Sequence, residues 1–255
     1  MAGSAPEKPD ALPDYAGTVI FYKVDGRLTE LLVLNVAKCR DAILSEKAAA
    51  IVSAERLAAS LKFRLETDRL LSLGGDLLAR SAARHGLGLK NDDIRFSKNA
   101  FGKPFLNGFK NFHFNVSHSG ALAICAISSF EVGCDCEFID AENKFEGIRS
   151  VFSKSELSSI DALSGIDRTM KCYEICTVKE CFIKCTGYGL SEDISKLETY
   201  REKSIYKIRK SGTELNYFIK PYEHIEGYAV AACSATDDFA GAVSWADEKY
   251  LFHAT

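Results

Sequence analysis

Two acidic side chains two residues apart, Asp135 and Glu137, close the stretch FHFNVSHSGALAICAISSFEVGCDCE at residues 112–137. The stretch opens in alternation, Phe112 and Phe114 against His113 and Asn115. It passes through a polar cluster, Asn115, Ser117, His118 and Ser119, that ends at Gly120. Two apolar runs follow, 121–127 and 130–134, split by Ser128 and Ser129. Side chains two apart on a strand share a face, so both carboxylates project together from the end of a mostly apolar strand. Held like that they repel unless a cation lies between them, and an all-oxygen pair suits a hard ion such as Mg2+. The competing reading is a solvated strand end with two surface acids.

A third carboxylate comes from DRTMKCYEICTVKECFIKCTG, residues 167–187. Cys176, Lys179, Glu180 and Lys184 recur at helical spacing, and Glu180 and Lys184, four apart, share a face. Three acids, a metal and a lysine one turn away suit a pyrophosphate, whose charge must be neutralised during phosphoryl transfer. The alternative is an ordinary surface Glu/Lys pair.

These residues need elements to position them. The pattern predicts strands at Thr18–Lys23 and Glu30–Ala37 around a turn at Asp25-Gly26, then an Ala-rich helix or two over Ser45–Lys62. A longer helix runs over Leu65–His85 and ends at Gly86 and Gly88, as helices often do. The strands of 112–137 follow, then short helices to about Leu163, the helix of 167–187, and strands near 197–202, 204–210, 214–220 and 227–234. At 255 residues the chain can bury a sizeable core as one domain or two,. A hydrophobic content of 47%, a charged content of 26% and a net charge of −3 are those of a globular chain with no bias toward nucleic acid or an anionic membrane,. No apolar run reaches transmembrane length. The first residues lack a basic start followed by an apolar core, so no signal peptide is expected and residues 1–16 read as a flexible lead-in.

Five segments in order carry a family resemblance. VGCDCE (132–137) and TVKECFIK (177–184) resemble the two signature motifs of the Sfp-type, surfactin-synthetase-activating, 4′-phosphopantetheinyl transferases. IRFSKNAFGKPFL (94–106), FNVSHSG (114–120) and FSKSELSSI (152–160) are similar to that family's Gly-Lys-Pro, Ser-His and Phe-Ser-x-x-Glu segments. The likeness spans roughly residues 53–235. One departure is Cys176, where the family usually has a Trp that reads as packing. The resemblance implies an α+β fold made by pseudo-twofold duplication of two similar α/β halves, 17–128 and 129–255, with the active site in the cleft between them. Internal echoes agree with this. Asp68-Arg69 and Asp167-Arg168 each start a long helix that ends in Gly-x-Gly-Leu.

The resemblance further implies transfer of 4′-phosphopantetheine from coenzyme A, the co-substrate, to a serine of an apo acyl or peptidyl carrier protein, releasing adenosine 3′,5′-bisphosphate. Asp135, Glu137 and Glu180 would hold Mg2+, Lys184 would contact the phosphates, and the base is either Glu180 or a metal-bound water. Arg56, Ser72, Lys103, Ser117 and His118 match positions that hold coenzyme A. Ala59 stands where the family has a further lysine, for which Arg69 is a candidate replacement. Phe145, Ile148, Arg149, Val151 and Phe152 are candidates for the carrier-facing surface, with core packing as the alternative. A trimeric single-half synthase would be about half this length, so the expected state is a monomer, in the cytoplasm.

Other classes stay open. A different Mg2+-dependent pyrophosphate or nucleotide hydrolase would explain the acids but not the Gly-Lys-Pro and Ser-His segments. A non-catalytic carrier-binding relative would have lost the motif carboxylates. The nine cysteines read as buried residues of a reducing compartment,. Cys172/Cys176 and Cys181/Cys185, each four apart, offer a soft-metal alternative, but no zinc-like spacing accompanies them.

Overall fold

A computed structural model describes residues 29–142, 145–187, 189 and 193–252. The strand and turn expected between residues 18 and 26, and the lead-in, lie outside these. The chain begins with β1 (Thr29–Asn35), followed by α1 (Arg40–Ile43), α2 (Glu46–Ile51), α3 (Ala54–Ser60) and the long α4 (Glu66–Leu87). The Ala-rich stretch breaks into short helices because Ser45 and Ser53 are N-caps, accepting from the Ala48 and Arg56 amides,. A hairpin of β2 (Phe96–Lys98) and β3 (Pro104–Leu106) is built from the Gly-Lys-Pro segment. Next come β4 (His113–Ser119), β5 (Leu122–Ser128) and β6 (Val132–Phe138). The second half continues with α5 (Lys154–Asp161), α6 (Gly165–Thr186), β7 (Leu197–Glu202), β8 (Ile205–Lys210), β9 (Thr213–Pro221) and β10 (Tyr228–Ser234). It ends with β11 (Ser244–Ala246) and α7 (Glu248–Phe252).

Strand alternation assembles these into four layers. The first sheet has the order β11-β1-β5-β4 and the second β6-β10-β9-β8-β7. From β1 and β5, Leu32, Leu34, Ala123 and Cys125 pack toward α4, with Leu73, Leu77 and Leu78. The intervening residues Leu31, Val33, Ile124 and Ala126 meet Val132, Cys134, Cys136, Val230 and Ala232 of the second sheet. On the far side of that sheet Ala231 and Cys233 pack on Val178, Cys181 and Phe182 of α6. The order is therefore α4, sheet, sheet, α6, the duplicated α+β arrangement, and burying β5 on both faces explains its unbroken apolar run,. Each long helix stops at a glycine in the left-handed region, Gly88 (φ 67°) and Gly187 (φ 70°),.

The end of the described chain returns to the first half. Strand β11 pairs parallel with β1. In α7 the carbonyls of Leu251 and Phe252 accept from Arg84 at 3.0 and 3.2 Å, and Tyr250 stacks on His85. A three-residue strand with a five-residue helix has too little periodicity to be read from sequence.

The closest approach in the fold lies between the two motifs. A Cβ at Gly133 would collide with the Cys181 carbonyl oxygen and lie 2.8 Å from Cys185 Cα. Gly133→Ala should therefore push α6 off β6 and lower unfolding free energy by about 3 kcal/mol, the upper range for overpacking, measured by urea denaturation.

Candidate active site

Alternation along β6 sends Val132, Cys134 and Cys136 into the inter-sheet core, and Gly133, Asp135 and Glu137 toward α6 and β4. Asp135 is buried at 1% exposure. Its Oδ1 accepts from Lys184 Nζ at 2.5 Å and from Ser117 Oγ at 2.9 Å, and Lys184 also donates to Ser117 Oγ at 2.8 Å. Its Oδ2 is buried and finds no hydrogen-bond partner among the described residues. Glu137 Oε2 accepts from Ser119 Oγ at 3.1 Å. Glu180 lies one turn before Lys184 on α6 and within the field of Asp135 and Lys184. The structure thus brings Asp135, Glu137, Glu180 and Lys184 together from segments more than forty residues apart.

Burial comes first in shaping the charges. It pushes all three carboxyls above the ordinary range. The charge of Asp135 pushes Glu137 and Glu180 further, while Lys184 pulls all three back,. Burial works against the Lys184 ammonium too, yet Asp135 wins and holds its pKa at about 12. Three carboxylates against one ammonium leave two negative charges in excess, which together with the orphaned Asp135 Oδ2 suits a single hard dication. Among the described residues no group of three carboxylate, imidazole or thiol side chains stands as a ready-made metal cage.

The other motif lysine has a different task. Lys179 is fully buried, pairs with Glu156 at 2.7 Å and donates to the Val151 carbonyl at 2.8 Å. Glu156 also accepts from the Ser153 amide and from the Thr199 amide and hydroxyl, so one buried carboxylate joins α5, α6 and β7.

Opposite alternation on β4 builds a second feature. Ser117 and Ser119 face β6, whereas Phe114, Val116 and His118 line a cavity of about 860 Å3 in the first half. Arg56 and Ser72 line it too, so three of the residues expected to hold coenzyme A meet there. Arg56 Nη1 lies 3.5 Å from Ser72 Oγ and its Nε 3.6 Å from Asp76. Ser117 and Lys103 do not line this cavity. The Lys103 ammonium donates to the carbonyls of Val132 (2.9 Å) and Cys185 (2.6 Å), tying the hairpin to the start of β6 and the end of α6.

Three basic cavity residues escaped the sequence reading, Arg80, Arg95 and Lys98. Arg80 is buried, bonds Asp76 at 2.8 Å and lies over the Phe96 ring; an i,i+4 Asp/Arg pair inside an apolar helix was the available signal. Ala59 also lines this cavity while Arg69 does not; the lysines and arginines that share the cavity with Ala59 are Arg56, Arg80, Arg95 and Lys98. Phe145 and Phe152, candidates for a carrier-facing surface, are core residues packed with Ile160 and Tyr173, and Arg149 pairs with Asp161 at 2.8 Å. The Ile148 side chain is outside the described set.

Comparison with known proteins identifies the family. Residues 43–130 match the family described as "4'-phosphopantetheinyl transferase, N-terminal", and residues 131–233 the "4'-phosphopantetheinyl transferase superfamily". The 4'-phosphopantetheinyl transferase Sfp of Bacillus subtilis (strain 168) is 33% identical over 196 residues, covering 76% of this chain and 87% of that protein. The transferase gsp of Aneurinibacillus migulanus is 30% identical over 207 residues, covering 81% and 86%. The chain belongs to the 4′-phosphopantetheinyl transferase family. It is an enzyme of that class, and the two matched regions meet between residues 130 and 131, in the turn that separates β5 from β6.

In this transferase the cysteines are packing residues. Cys172 and Cys176 sit against Phe145, Phe152 and Tyr173. Burial pushes the Cys176 thiol up to about 12, far from the thiolate that a soft metal requires,. The carboxylate cluster carries a pH signature. A carboxyl whose folded-state pKa lies above its unfolded value penalises the fold once both states are ionised, and not when both are protonated. In chelator, Glu180→Gln should therefore raise the Tm near pH 7, and the gain should vanish toward about pH 3, below the ordinary carboxylate range. Paired thermal melts measure the difference.

Proposed function

We propose that this transferase moves 4′-phosphopantetheine from coenzyme A to a serine of an apo acyl or peptidyl carrier protein, and that Asp135, Glu137 and Glu180 hold the Mg2+ it uses. The observation that carries the reading is the buried Asp135, with one oxygen on Lys184 and the other unpartnered, inside a cluster with two excess negative charges. The dication would neutralise charge on the pyrophosphate and the departing bisphosphate.

The protein's own groups account for the rest. The cavity lined by Arg56, Ser72, Arg80 and His118 takes the nucleotide end, with guanidinium and imidazole donors for its 3′-phosphate,. Lys184 gives the phosphates a fixed positive neighbour. The serine Oγ attacks the β-phosphorus, the bond to adenosine 3′,5′-bisphosphate breaks, and the hydroxyl proton passes to Glu180 through a water. Burial and the Asp135 charge raise the Glu180 carboxyl in the metal-free chain,. Lys103, engaged by two carbonyls, ties the hairpin to β6 and α6. Both walls of the site come from one chain, so the active state is a monomer. Nine free cysteines suit the cytoplasm,.

Incubation with coenzyme A, Mg2+ and a panel of apo carriers should add one phosphopantetheine arm by intact mass. Asp135→Asn, Glu137→Gln and Glu180→Gln should each nearly abolish the gain without unfolding the chain. Chelation should do the same to the native enzyme, and full activity in chelator would exclude the metal.

The nucleotide assignment has its own check. Dephospho-coenzyme A should raise the apparent KM, and His118→Ala should raise it for coenzyme A by about tenfold, one charged contact of ~1.4 kcal/mol. The two changes remove one interaction, so their combination should cost much less than the sum. Equal penalties on both substrates would place His118 away from the 3′-phosphate.

A further inference from the structure

Strands β4 and β6 run side by side where the two sheets meet, and their side chains bridge the seam. Ser117 donates to Asp135 and Ser119 to Glu137, each pair eighteen residues apart. The Cys134 amide donates to Asn115 Oδ1 at 3.0 Å, and the Phe138 amide to Ser119 Oγ at 3.0 Å. The constant offset means that two hydroxyls spaced by two on one strand meet two carboxylates spaced by two on the other, rung against rung. His118, between the serines, points the other way into the nucleotide cavity.

We propose that Ser117 and Ser119 are positioning residues for the metal carboxylates. Ser117 and Lys184 converge on Oδ1 of Asp135, fixing the carboxylate plane so that the buried Oδ2 is the oxygen left for a cation. Ser119 does the same for Glu137 with its proton, while its lone pairs take the Phe138 amide, which fixes the rotor. Outer partners of this kind orient ligating carboxylates and govern affinity. The inference rests on the proposed metal role of Asp135 and Glu137.

Two probes on the full-length chain separate the possibilities: Mn2+ alone, followed by its free-ion paramagnetic signal, and adenosine 3′,5′-bisphosphate in chelator, followed by calorimetry. Ser117→Ala and Ser119→Ala should each weaken Mn2+ binding about tenfold, the lower end for outer-shell partners, and Ser119→Ala should leave bisphosphate binding unchanged. Ser119→Thr, which keeps the hydroxyl, should bind Mn2+ like the native chain. Circular dichroism checks folding; should the buried Ser117→Ala misfold, the half-buried Ser119 pair of variants decides alone. Unchanged Mn2+ affinity in Ser119→Ala, or weakened bisphosphate binding with Mn2+ intact, overturns the proposal. Equal Mn2+ binding by the native chain and Asp135→Asn overturns the metal reading beneath it, an outcome independent of any serine variant.

Discussion

The backbone of α6 lies on β6 at Gly133 with no space for a side chain between them. That contact sets the depth of everything around it. A helix packed on a sheet through side chains stands about 10 Å off, whereas a glycine lets the two backbones touch. Only at that depth can Lys184, near the end of α6, put its ammonium on a carboxylate two residues past the glycine. The Lys103 ammonium closes the same junction from the first half, bonding a carbonyl on each side of it, at Val132 and Cys185.

A second constraint keeps the helix from rotating about that contact. Lys179 is buried on the face turned away from the carboxylates and is held by Glu156. Two buried charges are costly to desolvate, and such a pair is weak evidence of stability in itself. Its geometry is demanding, however, since Glu156 must also satisfy two backbone amides and a hydroxyl. Only one rotational setting of α6 meets those demands. In that setting Glu180 faces the site.

The two halves divide the chemistry. The first supplies a cavity with arginines and an imidazole, the second the acids and the ammonium, and β4 serves both because its faces alternate. Val116 and His118 line the cavity while Ser117 and Ser119 reach β6. A one-residue slip of β4 against β5 would exchange those roles. The register of the buried β5 excludes it, since slipping would turn Phe114 out of the core behind it.

Local physics made much of this protein legible from its residues. Apolar periodicity and glycine stops locate both long helices. Alternation between turns locates the last long strands to within a residue or two, and i,i+2 and i,i+4 spacing singles out Asp135, Glu137, Glu180 and Lys184. All of these signals lie within a few residues of one another along the chain. What the tertiary structure decided depends on partners far away. Lys103 turned to carbonyls up to 82 residues distant, and Lys184 found Ser117 across 67. Arg80 and Arg95 joined the cavity, Phe145 and Phe152 joined the core, and β11 and α7 returned to the first half. A lysine or serine reads the same in sequence whether it faces solvent, a carbonyl or a carboxylate. Its partner is chosen only when packing brings distant backbone within about 3 Å, the reach of a hydrogen bond.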